Sequence, residues 1–173
     1  MHLYSGEVKF SEVDSFDVVH NIAYLYWIEW ARTQYLFDIA GTRGKDFFSK
    51  NLPLMTVHTE IDYHSSLSFS DKYHVVTMVE KIGFSSISFT NFTFGETGIV
   101  DVSSLISNIS KVLSLLRNEN QEKELLNSKL TDLELKLVNS CKSTLVYVDR
   151  EDGVPKEFPK LLKDRIFSFE GYD

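Results

Sequence analysis

Three features of this sequence predict an α+β architecture, one long helix packed on a mostly antiparallel sheet. The segment from Asn21 to Ala40 is apolar on most of its faces, which suits a helix covered on most sides. Three alternating runs follow it, Met55–Tyr63, Lys72–Ile82 and Ser85–Phe94, and read as strands. Another such run, Lys142–Val148, returns late in the chain.

Taken in order, Leu3–Phe10 alternates well enough to open the sheet. The long helix carries Ile22, Leu25, Ile28, Tyr35, Leu36 and Ile39 as one stripe, while Tyr24, Trp27, Trp30 and Phe37 extend its apolar surface to other faces. Gly41 is placed to end it, since glycine adopts the left-handed cap at no steric cost. Gly83 joins the second and third strands of the middle group. After Lys142–Val148 comes a turn at Asp149–Gly153, then a short helix near Pro159–Lys163 and a last strand at Arg165–Phe169.

Between these lies Gly98–Asn139, with a different pattern. Leu105, Ile109, Val112 and Leu116 recur at heptad spacing, as do Leu126, Leu130, Leu133 and Leu137, with Glu119 and Lys123 interrupting the register. Long helix is expected over Gly98–Leu133. A continuous helix of about 30 residues would span about 45 Å and carry the chain far from the sheet. Either Asn118–Gln121 folds the arm into a helical hairpin, the reading we prefer, or the arm is continuous and the final strands complete a neighbouring subunit. The whole reads as one domain, 1–173, with 98–134 as a helical insertion.

With 173 residues the chain is long enough for a core without covalent staples. Hydrophobic residues make up 43% and charged residues 25%, ordinary values for a globular chain. The net charge of -7 argues against a nucleic-acid binder, which would show a basic face. A single cysteine, Cys141, leaves no internal disulfide and fits a reducing compartment. Within a strand it reads as a buried, inert thiol. No apolar run reaches the length of a membrane span, and no signal peptide opens the sequence, so a cytoplasmic location is expected. His58, His64 and His74 show no metal-ligand spacing, and no metal or cofactor is expected.

The chemistry gathers between Phe10 and Arg32. Asp14 stands just ahead of a helix N-terminus, whose first N–H groups lack intrahelical partners and point outward. A carboxylate beside such donors is what hydrolysis of an activated acyl group requires. Read on spacing alone, Asp14 is more simply an ordinary turn or cap residue. Glu29 and Arg32, three apart on the helix, read as a buried ion pair that fixes helix packing.

The segment Asp14, Val18-Val19-His20-Asn21, Tyr24 and Glu29-Trp30-Ala31-Arg32 resembles the start of the hotdog-fold acyl-CoA thioesterases of the 4-hydroxybenzoyl-CoA thioesterase type. Two later stretches, Ile61–Asp71 with Val75–Phe94, and Lys142–Pro155, are also similar to that family. The resemblance implies the hotdog fold, an antiparallel sheet wrapped around a long central helix. It implies hydrolysis of an acyl-CoA thioester to free acid and coenzyme A. Asp14 would serve as general base or as nucleophile, and backbone N–H groups near His20 and Asn21 as the oxyanion site. Val19 and Tyr24 would contact substrate, and Glu29 is the reserve candidate, since some hotdog enzymes take their carboxylate from this helix.

The same resemblance implies a homodimer or homotetramer with shared active sites, and coenzyme A as part of the substrate rather than a cofactor. Acyl carrier protein thioesters would be a secondary substrate. Cations for coenzyme A are available at Lys81, Lys142, Arg150, Lys160 and Lys163. His20 would bond substrate, fix the Asp14 loop, or pack beneath the turn. The family has Gly where this chain has Asp17. A second carboxylate there either raises the Asp14 pKa by repulsion or serves as an N-terminal cap, the reading we prefer. Asp17 and the inserted arm leave a second function open, a catalytically inactive acyl-CoA-binding or assembly protein.

Overall fold

The computed structural model describes residues 1–43, 47, 52–100, 102–116 and 123–171. Its elements are strand β1 (His2–Glu7), helix α1 (Asn21–Ala40), strands β2 (Leu54–Tyr63), β3 (Lys72–Ile82) and β4 (Ser86–Glu96), helices α2 (Val102–Leu116) and α3 (Lys123–Asp132), strand β5 (Leu135–Tyr147) and helix α4 (Lys160–Glu170). The five strands form one antiparallel sheet in the order β1-β3-β4-β5-β2. One long helix on such a sheet is the α+β hotdog arrangement that the sequence predicts.

The inner face of the sheet holds α1 because β3, β4 and β5 alternate. Tyr73, Val75, Val138 and Cys141 pack with Ala23, Tyr24, Trp27, Ile28 and Ala31. Val79, Ile87, Phe89 and Leu145 pack with Tyr35, Leu36 and Ile39. Between these two apolar clusters run polar rungs. Asn91 Nδ2 donates to Thr77 Oγ1 at 2.8 Å, and Thr93 Oγ1 donates to Asn139 Oδ1 at 3.0 Å, all four side chains being buried. Gly41 ends α1 in the left-handed conformation, its N–H donating to the Phe37 and Asp38 carbonyls.

The outer face is covered as well. Val76, Met78 and Phe94 pack against Leu105, Ile109, Val112 and Leu113 of α2 and Leu130 of α3. Two helices packed on each other and on the sheet form the arm, and Leu105, Ile109, Val112 and Leu130 of its apolar stripe are buried within this chain. The turn expected at Asn118–Gln121 lies outside the described residues.

Four expectations change. β1 stops at Glu7, and Phe10–Glu12 is a 3-10 turn held by Lys9 N–H on Glu12 Oε2 at 2.8 Å. The second heptad set breaks after α3, because Leu135 and Leu137 already alternate in β5, which begins well before Lys142. The segment Arg165–Phe169 is helix, not strand. Helix α4 runs from the Pro159 N-cap to Gly171, with Ile166 buried in the same cluster as Tyr35 and Leu36. Finally, Glu29 and Arg32 form no ion pair. Glu29 is exposed, and the buried Arg32 turns inward to donate to Ser143 Oγ at 3.0 Å.

Candidate active site

Val13 and Val19 form an isolated antiparallel bridge, which closes the chain between them into a tight loop. Asp14 builds that loop with its own side chain, a habit of Asp in turns. Its Oδ1 accepts from Phe16 N–H at 2.8 Å and Val18 N–H at 3.4 Å, while its backbone N–H donates to the Val18 carbonyl at 2.8 Å. Among the described residues nothing donates to Oδ2. One oxygen therefore holds the loop, and the other has no donor among the described residues.

Asp17 sits at φ 59°, the left-handed region that Asp tolerates better than most residues and glycine best. Its N–H donates to the Asp14 carbonyl at 3.1 Å. The N-cap of α1 is His20, not Asp17, and no side chain caps the helix, so the capping role expected for Asp17 is corrected. Its exposed side chain instead occupies a turn whose backbone geometry suits Gly.

The helix entry sorts the candidate oxyanion donors. Val19 N–H donates to the Leu67 carbonyl and His20 N–H to the Glu12 carbonyl, each at 2.9 Å. Both are spent on structure. Among the described residues the N–H groups of Asn21 and Ile22 meet no acceptor, as the first turn of a helix leaves them. The N–H groups left over at the helix entry are thus those of Asn21 and Ile22, and the His20 side chain is exposed. Tyr63 OH donates to the Asn21 carbonyl at 3.2 Å and ties this turn to β2.

Val19 and Tyr24, expected to contact substrate, are core residues in this chain. Tyr24 OH accepts from Leu67 N–H at 3.2 Å, its ring meets Trp27 edge-on at 5.1 Å, and burial pushes its pKa up. They support the loop from beneath. Glu29, the reserve carboxylate, lies on the solvent side of α1 beside a groove lined by Tyr26, Trp27 and Trp30. Of the candidate cations, Lys160 and Lys163 share a cleft with Phe84 and Asp164, while Lys142 lines a separate one under α3. Cys141 is buried and its thiol is pushed up to about 11, chiefly by desolvation, which leaves it unreactive.

Sequence reasoning missed Glu12. One of its carboxylate oxygens accepts from Trp27 Nε1 at 2.9 Å, the other from Lys9 N–H, and its carbonyl holds His20. Trp27 in turn stacks on Tyr73 at 3.9 Å. Glu12 fixes the angle at which the Asp14 loop meets α1, and its signal was its place at the third position of the 3-10 turn.

A model of the family described as "Thioesterase-like superfamily" matches residues 8–166. The chain belongs to the thioesterase-like superfamily. Membership places it among thioester hydrolases. A thioesterase from Thermus thermophilus, complexed with coenzyme A and Zn, is similar in structure at a TM-score of 0.68 and 17% identity, over 99% of this chain and 96% of that one. A Staphylococcus aureus protein in complex with coenzyme A matches at 0.70 and 12%, over 98% and 84%. A mutant 4-hydroxybenzoyl-CoA thioesterase bound to 4-hydroxybenzoyl-CoA matches at 0.68 and 11%, over 95% and 96%. At these identities the structures support the fold. No curated protein sequence matches. Among the described residues no helix is long and apolar enough to cross a membrane.

Proposed function

We propose that this superfamily member hydrolyses acyl-CoA thioesters to free acid and coenzyme A, with Asp14 as the acting carboxylate and the Asn21 and Ile22 N–H groups as oxyanion donors. The observation that carries this reading is the division of labour at Asp14, one oxygen spent on its loop and the other without a donor among the described residues, in the loop that leads into the helix whose Asn21 and Ile22 N–H groups meet no acceptor among them. Two routes suit that geometry. As a base, Oδ2 takes a proton from water while the water oxygen attacks the thioester carbonyl. As a nucleophile, Oδ2 attacks directly, giving a mixed anhydride that water then cleaves. In both, the carbonyl oxygen gains charge facing the helix N-terminus and the thiolate leaves. A thioester is activated enough that no cofactor is required.

A second copy of the chain is part of the proposal. The ten-residue β2 is an open sheet edge, exposed along its length except at Leu54 and Ile61, and carries Met55 and Val57 outward. Such an edge pairs with another chain unless something covers it. Phe16, 84% exposed within the Asp14 loop, and the exposed Phe10–Phe69 pair likewise await a wall. A homodimer through β2 would supply one. A cytoplasmic setting suits the single buried thiol.

Thiol release from a panel of acyl-CoAs, with wild type beside Asp14→Asn, tests the activity. Asp14-dependent release supports it. Tight acyl-CoA binding with no release at any chain length would favour the inactive binding protein, a reading that the extra carboxylate at Asp17 keeps alive.

A further inference from the structure

On the outer face of the sheet, where β4 ends and the chain leaves for α2, three side chains from three strands form a line. Ser5 Oγ on β1 lies 2.8 Å from His74 Nδ1 on β3. His74 Nε2 lies 2.9 Å from Glu96 Oε1, the last residue of β4. Strand register sets Ser5 directly opposite His74, so the line stands on paired backbone rather than on loops. An ionised carboxylate has no proton to give, so Nε2 carries the ring hydrogen. That leaves the Nδ1 lone pair facing the Ser5 hydroxyl.

The surroundings keep the ring in that state. His74 is 2% exposed, and burial lowers its pKa, outweighing the opposite pull of Glu96. Lys72 adds to the lowering. The imidazole is therefore neutral and basic near neutral pH. Ser5, by contrast, is exposed. A reachable hydroxyl, a neutral base behind it and an acid that orients the base are the parts of an activated nucleophile. Because β1 is an edge strand, every second N–H along it faces away from β3 and is open to a developing oxyanion.

We propose that Ser5 is a second nucleophilic centre, with His74 as its general base and Glu96 positioning that base, and that it takes small activated carboxylic esters. It lies on the opposite face of the sheet from α1 and does not depend on the Asp14 chemistry. In the acylation step Ser5 Oγ bonds to the acyl carbon and its proton passes to His74 Nδ1. The ester C–O bond breaks, and the leaving alkoxide takes that proton. Water then adds to the acyl-serine by the same path in reverse and releases the acid. An open strand edge offers no tunnel for a long chain, hence the small acyl group.

A fluorophosphonate probe tests this on the full chain: Oγ bonds to phosphorus, the P–F bond breaks, and the serine proton passes to His74. Peptide mass spectrometry should find the adduct on Ser5, and none there in Ser5→Ala. The labelling rate should fall about 100-fold in His74→Gln, the size of a lost general base. In Glu96→Gln the rate should drop and the midpoint of its rise with pH should move lower, a change that mere loss of packing would not produce. Absence of a Ser5 adduct on folded wild type overturns the proposal. So does an unchanged rate in His74→Gln. If circular dichroism shows His74→Gln unfolded, Glu96→Gln decides alone, and an unaltered rate and midpoint there overturn it equally.

Discussion

Arg32 Nη1 donates to Ser143 Oγ at 3.0 Å, across the interface between α1 and β5, and among the described residues no carboxylate pairs with the guanidinium. The ring of Phe89 lies 5.9 Å from its central carbon, and burial lowers its pKa. The Ser143 hydroxyl accepts the hydrogen bond, and Glu29 adds only a through-space pull that burial outweighs. Ser143→Ala should cost about 1–3 kcal/mol, the penalty for leaving a buried donor unsatisfied. Glu29→Gln should change stability by less than about 0.5 kcal/mol, as an exposed substitution does. Urea unfolding of both variants checks this, and a large Glu29→Gln effect would restore the ion pair.

Asp14→Asn keeps a carbonyl oxygen where Oδ1 accepts the Phe16 and Val18 N–H groups, so the loop should stand. Turnover of acyl-CoA should fall about 100–10,000-fold, as expected for a positioned acid–base group. Thiol release beside circular dichroism separates chemistry from folding. Near-normal turnover would pass the role to Glu29 or remove it.

Asp17 occupies a backbone conformation that a β-branched side chain resists. Asp17→Val should destabilise by roughly 1–2 kcal/mol, the cost of a left-handed residue, whereas Asp17→Gly should be tolerated. Thermal melts of the two variants measure the difference, and equal melting temperatures would refute it.

The helices of the arm bury Val76, Met78 and Phe94 on the outer face of the sheet. Ile109→Ala should cost about 2–5 kcal/mol, as for a core isoleucine. Replacing 99–131 by a short turn should yield an aggregating protein. A soluble, folded deletion variant, judged by light scattering, would show that the outer face needs no cover.

His74 carries a pH dependence. Its folded pKa lies below the ordinary 6.5, so the unfolded chain binds more protons as pH drops through that value. Stability should be fully present above about pH 6.5 and decline below it, towards the lowered folded pKa. Denaturant midpoints across that range should fall less in His74→Gln than in wild type.

Much of the fold is legible in the sequence because its signals are local. Helix α1 has Gly41 at its end, and β2 to β4 are runs rich in β-branched and aromatic residues, with β4 alternating between buried and half-buried positions over most of its length. What misleads is a pattern shared by two periods. Arg165–Phe169 alternates like a strand, yet Leu162 and Ile166 lie one turn apart and face α1. Leu133 and Leu137 continue the heptad count of α3, although Leu135 and Leu137 already belong to β5. At the candidate site, the position of Asp14 before the helix is plain. Which N–H groups stay free is not, because Leu67 and Glu12 claim those of Val19 and His20 from elsewhere in the fold. Arg32 eluded the reading for the same reason, its partner being set by tertiary packing.

The arm also has a kinetic meaning. Strands β4 and β5 are neighbours at the centre of the sheet, yet residues 97–134 separate them along the chain. Joined by a tight turn they would form a local hairpin, quick to close. Lengthening a connection roughly tenfold raises the entropic cost of closing it by about 2 kcal/mol. That penalty disappears if α2 and α3 pair early, because the Thr97 N–H then already meets the Glu134 carbonyl at 2.8 Å and brings the strand ends together. Order of assembly follows from this: the helical pair acts as the clasp, and the centre of the sheet zips from Glu96 and Leu135 inward.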